Sequence, residues 1–151
     1  MFWLIVVIGL LADQVTKYMI STGMQISQSI PVIPNIFHLT YIMNKGAAYS
    51  ILQGQRWFFI VIAAAVVVGV LIFLTKVPKK DLFLRTALAL IISGAIGNMI
   101  DRIRFGGVVD FIDFRVFPIF NIADSLVVIG VCLLVLYVFC AKPSTRDKIK
   151  I

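Results

Sequence analysis

Glutamate is absent from this 151-residue chain, and all seven acidic residues are aspartate. A chain that needed acids only for solubility would normally use both types, so each aspartate is a candidate for a specific task. Histidine occurs once, as His38, and cysteine twice, as Cys132 and Cys140. One His and two distant Cys make no zinc set. The two cysteines lie on one expected helix, separated by roughly 12 Å of rise, which is too far for a disulfide. Val138 and Phe139 stand before Cys140, where a lipid-attachment site would have small residues. No Ser–His pairing falls on the apolar segments, and no glycine-rich phosphate loop is present. No long repeat, low-complexity tract or second soluble domain is visible. These absences exclude zinc, serine-hydrolase and nucleotide chemistry, and His38 is expected to be an ordinary surface residue.

What the chain has in abundance is apolar surface. Hydrophobic residues make up 61% of it, and the mean hydropathy is +1.05. A soluble domain of this size cannot bury that much, so the solvent that fits is lipid. The net charge is +7, but it sits in two blocks. One runs from Lys76 to Arg85 with Lys79, Lys80 and Asp81; the other begins at Lys142 with Arg146, Asp147, Lys148 and Lys150. Each abuts a long apolar run, which is where charges set membrane orientation. Nucleic acid is therefore not an expected partner.

Four apolar runs are long enough to span a bilayer, at about 2–20, 57–75, 82–100 and 120–141. Together they predict a single α-helical, membrane-embedded domain. The first run is not expected to be a cleaved signal peptide, because it lacks a basic start and is interrupted by Asp13 and Lys17. Four spans return both termini to one side. The positive-inside rule puts that side in the cytoplasm, with the connections 21–56 and 101–119 outside. The segment Phe37-His38-Leu39-Thr40-Tyr41-Ile42-Met43 is β-branched and aromatic, and Asn44-Lys45-Gly46 follows as a turn signal. It predicts a short hairpin or small sheet on the outer surface. Trp3 and Trp57 are expected to anchor at the interface.

The polar residues of the spans then converge on one depth. Asp13 and Lys17 fall in the outer half of helix 1, Asn98 and Asp101 at the outer end of helix 3, and Asn121 and Asp124 in the first turn of helix 4. Asp110 lies in the connection between helices 3 and 4. A charge near hydrocarbon costs about 2.5–3.5 kcal/mol on insertion scales, so four acids at one level imply a shared polar site. Asn98-Met-Ile-Asp101 and Asn121-Ile-Ala-Asp124 repeat one pattern. Residues three apart share a helix face, so each Asn can orient a carboxylate or donate to a substrate carbonyl. Val108-Val109 and Phe111-Ile112 flank Asp110 with apolar groups. Burial and a second carboxylate both raise a carboxyl pKa, and two acids sharing a proton are the machinery of an aspartic protease.

The chain resembles the lipoprotein signal peptidase, or signal peptidase II, family. The residues that carry the resemblance are Asp13-Gln14-Val15-Thr16-Lys17, Asn44-Lys45-Gly46-Ala47-Ala48-Tyr49-Ser50, Gly97-Asn98-Met99-Ile100-Asp101-Arg102, Val108-Val109-Asp110-Phe111 and Phe120-Asn121-Ile122-Ala123-Asp124-Ser125. Five motifs in order, over nearly the whole chain, are specific where any one is weak. The resemblance implies four membrane helices with a small extracytoplasmic β-sheet. It also implies an aspartyl endopeptidase that cuts diacylglyceryl-modified prolipoproteins just before the lipidated cysteine. The implied catalytic pair is Asp110 and Asp124, supported by Asn44, Gly46, Asn98, Asp101, Arg102 and Asn121. No metal or cofactor is implied. Membrane lipid and a globomycin-type inhibitor are implied partners, and the working form is expected to be a monomer in the bacterial plasma membrane. The spacing from Asp110 to Asp124 is shorter than in much of the family. The difference falls around 114–118, so the substrate entrance there is expected to have its own shape.

Other roles stay open at this level. Asp110 and Asp124 could hold a helix end, with Asp124 favouring the helix dipole, and an Asp101–Asp124 pair is a possible dyad. Asp101 has Arg102 as an adjacent counter-charge, and Arg102 could instead bind a substrate carbonyl or phosphate. Asp13 and Lys17 can pair at i, i+4, either anchoring helix 1 or supporting the site or a lipid head group. Asn44 and Gly46 are turn formers or substrate contacts. Asp113 and Arg115 are expected to be solvated loop charges. A small proton-coupled transporter or lipid-handling protein is the alternative function, but a relay should string its acids across the membrane depth. A presenilin-like protease would place both aspartates on facing helices well inside the bilayer, whereas Asp110 lies in a connection.

Overall fold

The computed structural model describes residues 1–47 and 51–140. Ala48, Tyr49 and Ser50 of the outer-loop motif, the last expected span residue and the basic tail from Lys142 lie outside the described residues. Within them, four helices are long and apolar enough to cross a membrane: α1 (Phe2–Gly23), α2 (Arg56–Leu74), α3 (Leu82–Phe105) and α4 (Ile122–Cys140). Three strands, β1 (Ser29–Ile33), β2 (Phe37–Asn44) and β3 (Val108–Asp113), form one antiparallel sheet in the order β1-β2-β3.

Each helix shows in its buried residues what it packs against. On α1, the buried positions are Phe2, Val6, Gly9, Asp13, Lys17 and Ile20. They recur every three or four residues and so make one stripe. The stripe begins apolar and turns ionic just past the middle of the helix, at Asp13 and Lys17. Helix α2 buries no residue and packs on α3, so lipid is its main neighbour. Helix α3 is central, with ten buried positions from Leu84 to Asp101. Its first turn is capped by Asp81, whose carboxylate accepts from the Leu84 amide at 3.1 Å. Its end is Gly106 in the left-handed region (φ 75°) after Arg102 and Arg104, the cations a helix C-terminus favours.

Helix α3 therefore runs five residues beyond its expected end at 100. The charged run Asp101-Arg102-Ile103-Arg104 reads as loop when lipid is its only imagined surrounding. Here Asp101 faces a buried partner and the arginines sit at the favourable pole of the helix.

The sheet closes one end of the bundle. Residues 34–36 connect β1 to β2, with Asn35 at φ 63°. The hairpin turn is thus Pro34-Asn35-Ile36, and Asn44-Lys45-Gly46 marks the exit of β2 instead. Strand β3 comes from a stretch that reads as a connection. Its β-branched run pairs with β2, bringing Ile42 opposite Asp110 and Asn44 opposite Val108. Its far edge is sealed by Phe120, whose carbonyl accepts from the amides of Phe111 (3.0 Å) and Ile112 (2.8 Å). Ile20, Tyr41, Val109 and Phe111 form the cluster that seats the sheet on α1. A second cluster, including Phe2, Val6, Leu84, Leu88 and Ile92, fills the opposite end.

Helices α3 and α4 approach closely through Gly94. A side chain there would drive into the Ala123 carbonyl and Val127, in keeping with the small residues that let membrane helices pack backbone to backbone. Gly94→Leu should therefore lower stability in detergent by roughly 1–3 kcal/mol, the usual cost of overpacking. Gly69→Leu, on α2 with nothing within 4 Å of the added atom, should leave thermal unfolding unchanged. Equal melting of the two variants would contradict this packing.

Candidate active site

Below the sheet lies a buried ionic knot. The Lys17 ammonium donates to Asp13 Oδ2 at 2.9 Å and to Asp101 Oδ2 at 3.0 Å. Asp13 is 0% exposed, Asp101 1% and Lys17 3%. Charges so placed are tolerated only when paired and fully hydrogen-bonded, and the remaining oxygens are used. Asp13 Oδ1 accepts from the Ala123 amide at 2.9 Å in the first turn of α4. Asp101 Oδ2 also accepts from the Val109 amide of β3 at 3.2 Å. Gln14 Nε2 bridges the two acids, at 3.1 Å to each. One knot thus ties α1, α3, α4 and β3 together. The counter-charge hydrogen-bonded to Asp101 is Lys17, not the adjacent Arg102.

Above the knot, three amides lead to Asp110 and Asp124. Lys17 Nζ donates to Asn98 Oδ1 at 2.9 Å, and Asn98 Nδ2 donates to Asp124 Oδ1 at 2.7 Å. Asn121 Nδ2 donates to Asn98 Oδ1 at 3.1 Å and to Asp110 Oδ1 at 2.6 Å. Asn44 Nδ2 donates to Asp110 Oδ2 at 2.9 Å, and Asn44 Oδ1 accepts from the Gly46 amide at 2.9 Å. Asn121 and Asp124 also cap α4 reciprocally. The Asp124 amide donates to Asn121 Oδ1 at 2.9 Å, and the Asn121 amide donates to Asp124 Oδ2 at 3.2 Å, which is the capping-box arrangement. The same Asn-x-x-Asp spelling does different work on α3, where Asn98 serves Asp124 while Asp101 serves Lys17.

Asp110, Asp124, Asn44, Gly46, Asn98 and Arg102 line a cleft of about 640 Å³. Its other walls are apolar and include Phe114, Phe117, Phe120, Val128 and Ile129. The Arg102 guanidinium lies 4.7 Å from the centre of the Phe59 ring and donates to the Gly46 carbonyl at 3.4 Å. Asp110 is 2% exposed. Burial, and then the charge of Asp124, push its carboxyl up to about 7, while donors from Asn44 and Asn121 and the charge of Lys17 hold it down. Among the described residues, no three of His, Cys, Asp or Glu are grouped to hold a metal ion.

Asp113 is not a solvated charge. It is 4% exposed and accepts from Thr40 Oγ1 at 2.7 Å and from the Arg115 amide at 2.8 Å. Burial alone would raise its pKa, but these donors and the Arg115 guanidinium hold it below the usual carboxylate value. The reason lies in the sheet: as the last residue of β3, Asp113 pairs with His38 across β2. His38 is itself half-buried, its Nδ1 3.2 Å from Ser29 Oγ. In the sequence Gln14 stands only as part of the Asp13–Lys17 motif, with no role of its own, and nothing in an apolar run distinguishes Phe59.

All four acids of the expected site, with Lys17, Asn98 and Asn121, thus meet at the sheet end of four bilayer-length helices. Clustering at one end, rather than stringing across the depth, defines a membrane-embedded enzyme and not a relay. Residues 5–140 match the family model described as Signal peptidase (SPase) II, and the chain belongs to that family. It is 49% identical over 139 residues to the lipoprotein signal peptidase of Halothermothrix orenii, covering 92% of this chain and 95% of that protein. It is 49% identical over 147 residues to that of Brevibacillus brevis, covering 96% and 99%. A solved structure described as a bacterial membrane enzyme superposes with a TM-score of 0.88 at 41% identity, covering 99% of this chain and 92% of that one. The chain is therefore a membrane protease of the signal peptidase II type.

Asn44 holds the Asp110 pKa down by donating to its charged form. Asn44→Ala should keep Asp110 protonated to higher pH, by about one pH unit for the loss of one charge-assisted hydrogen bond. Infrared titration of the protonated carboxyl band should show the shift. A titration unchanged or moved to lower pH would contradict the assignment.

Proposed function

We propose that the chain is an aspartyl endopeptidase that removes the signal peptide from diacylglyceryl-modified prolipoproteins, cutting just before the lipidated cysteine. The observation that carries this reading is the pairing of Asp110 and Asp124 at one apolar cleft, each held by side-chain amides. In this mechanism Asp110, whose carboxyl is pushed up to about 7, carries the shared proton, and Asp124 acts as the base.

Water attacks the scissile carbonyl directly, with no covalent intermediate. Asp124 takes a proton from the water, and Asp110 gives its proton to the carbonyl oxygen, leaving a gem-diol. Asp124 then passes its proton to the cysteine nitrogen as the C–N bond breaks. Asp110 recovers a proton from a gem-diol hydroxyl, and the site is reset.

The supporting residues take distinct parts. Asn44, Asn98 and Asn121 aim the carboxylates. Asp13, Lys17 and Asp101 hold the scaffold beneath them. Gly46 and Arg102, at the rim of the cleft, are the substrate-facing groups: the glycine lets a peptide backbone approach, and the guanidinium is a donor for its carbonyls. Val128 and Ile129, which line the cleft from the exposed side of α4, suit acyl chains reaching the site from the membrane, and a globomycin-type peptide would occupy the same cleft. The basic turn Lys76, Lys79, Lys80 between α2 and α3 supports a cytoplasmic location for that end of the bundle and for both termini. The active site then opens on the extracytoplasmic face of the plasma membrane, and one chain supplies all of it.

Asp110→Asn and Asp124→Asn should each lower kcat by roughly 10²–10⁴-fold while the protein still folds and inserts. A processing assay in which either variant keeps wild-type turnover would sink the pair. The sign of the pH dependence follows from Asp110. Its raised pKa means that the shared proton is present below about 7 and lost above it. The kcat/KM profile should fall as pH rises through about 7, and a flat profile from about pH 6 to about pH 9 would contradict the shared-proton mechanism.

A further inference from the structure

We propose that Lys17 is a positioning residue of the peptidase site, whose ammonium locks the Asn98 side-chain amide so that its NH2 end faces Asp124. The inference rests on Asp110 and Asp124 being the working pair. An ammonium has three donors and no acceptor, and all three of Lys17's are used: on Asp13 at 2.9 Å, on Asp101 at 3.0 Å and on Asn98 Oδ1 at 2.9 Å. None remains for a head group or a substrate, so the lysine acts through Asn98.

The oxygen and nitrogen of an Asn side chain are told apart by their partners, and here the partners leave one choice. Lys17 can only donate, so Asn98 must offer it Oδ1. Its Nδ2 then points at Asp124, at 2.7 Å. Turning the amide over would set NH2 against the ammonium and a carbonyl against the carboxylate. It would also break the 3.1 Å bond from Asn121 Nδ2 to Asn98 Oδ1, and that same Nδ2 reaches Asp110 at 2.6 Å. One amide orientation therefore serves both carboxylates.

A neutral donor would not suffice, because another amide could itself rotate. The ammonium is held by two carboxylates that are in turn tied to α4 and β3 through the Ala123 and Val109 amides. The charged groups facing this point are Asp13 and Lys17 from α1, Asp101 and Arg102 from α3, Asp110 from β3 and Asp124 from α4. Lys17 is also one of the groups holding the Asp110 pKa down.

The test is a kinetic double-mutant cycle on the full-length protein in detergent, with a diacylated precursor. Lys17→Met is combined with Asp13→Asn, which keeps the net charge of the knot unchanged and leaves Asp101 its donors from Gln14 and the Val109 amide. This pair should lower kcat by roughly 10²-fold, as small misplacements of reacting groups do, with KM nearly unchanged because Lys17 does not touch substrate. The alkaline limb should move to higher pH, since Asp110 loses a cation that lowered its pKa. Asn98→Ala should cost about as much, and adding it to the pair should cost little more, because both act on one interaction. Should the pair not fold, Lys17→Gln is the second variant. Its amide can turn either end to Asn98, so the same non-additivity is expected. Multiplicative losses, full activity without Lys17, or an unmoved alkaline limb would overturn the assignment. Asp110→Asn in the same assay separates the two levels. If it is active, the underlying pair is wrong; if it is inactive while the Lys17 and Asn98 losses multiply, only the Lys17 role is.

Discussion

Everything at the sheet end of this molecule depends on one buried ammonium shared between two carboxylates. An isolated charge at that depth is costly enough to be excluded. Asp13, Lys17 and Asp101 make the placement tolerable by leaving no donor or acceptor of the group idle. Helix α1 contributes two of the three, α3 the third, and the amides that complete the set come from β3 and α4. The elements that carry Asp110 and Asp124 are thus located by bonds to the knot, not only by apolar packing. This matters in a membrane, where helices gain little from burying apolar surface against one another.

The same logic runs upward to the carboxylates. Each amide around them is oriented by a group that can only donate: Asn98 by the Lys17 ammonium, Asn121 by the Asp124 backbone amide, and Asn44 by the Gly46 backbone amide. Their NH2 ends are left facing Asp110 and Asp124. The result is a polar floor of fixed dipoles under an apolar cleft. That combination suits a substrate that is part peptide and part lipid, and it needs no reorganisation as charge moves during the reaction.

Much of this was legible in the sequence, for identifiable reasons. Lipid imposes a length and composition on helices, so all four appear as apolar runs. The acids stand out because each interrupts or terminates such a run. The Asn-x-x-Asp pattern at 121–124 reads as an amide beside a carboxylate on one helix face, since its partners are local. What was not legible depends on distant partners. Asp101 reads as paired with Arg102 until α1 brings in Lys17 from across the bundle. Val108–Asp113 reads as a connection until β2 arrives to pair with it, and Asp113 reads as solvated for the same reason. The five extra residues of α3 are hidden by charges whose neutralisation is tertiary.

The most direct test of the central claim is cleavage of a diacylated prolipoprotein by the purified protein in detergent, beside its unlipidated twin. The account predicts that only the lipidated precursor is cut, immediately before the modified cysteine. Folded protein that cuts neither form, or cuts both equally well, would contradict it.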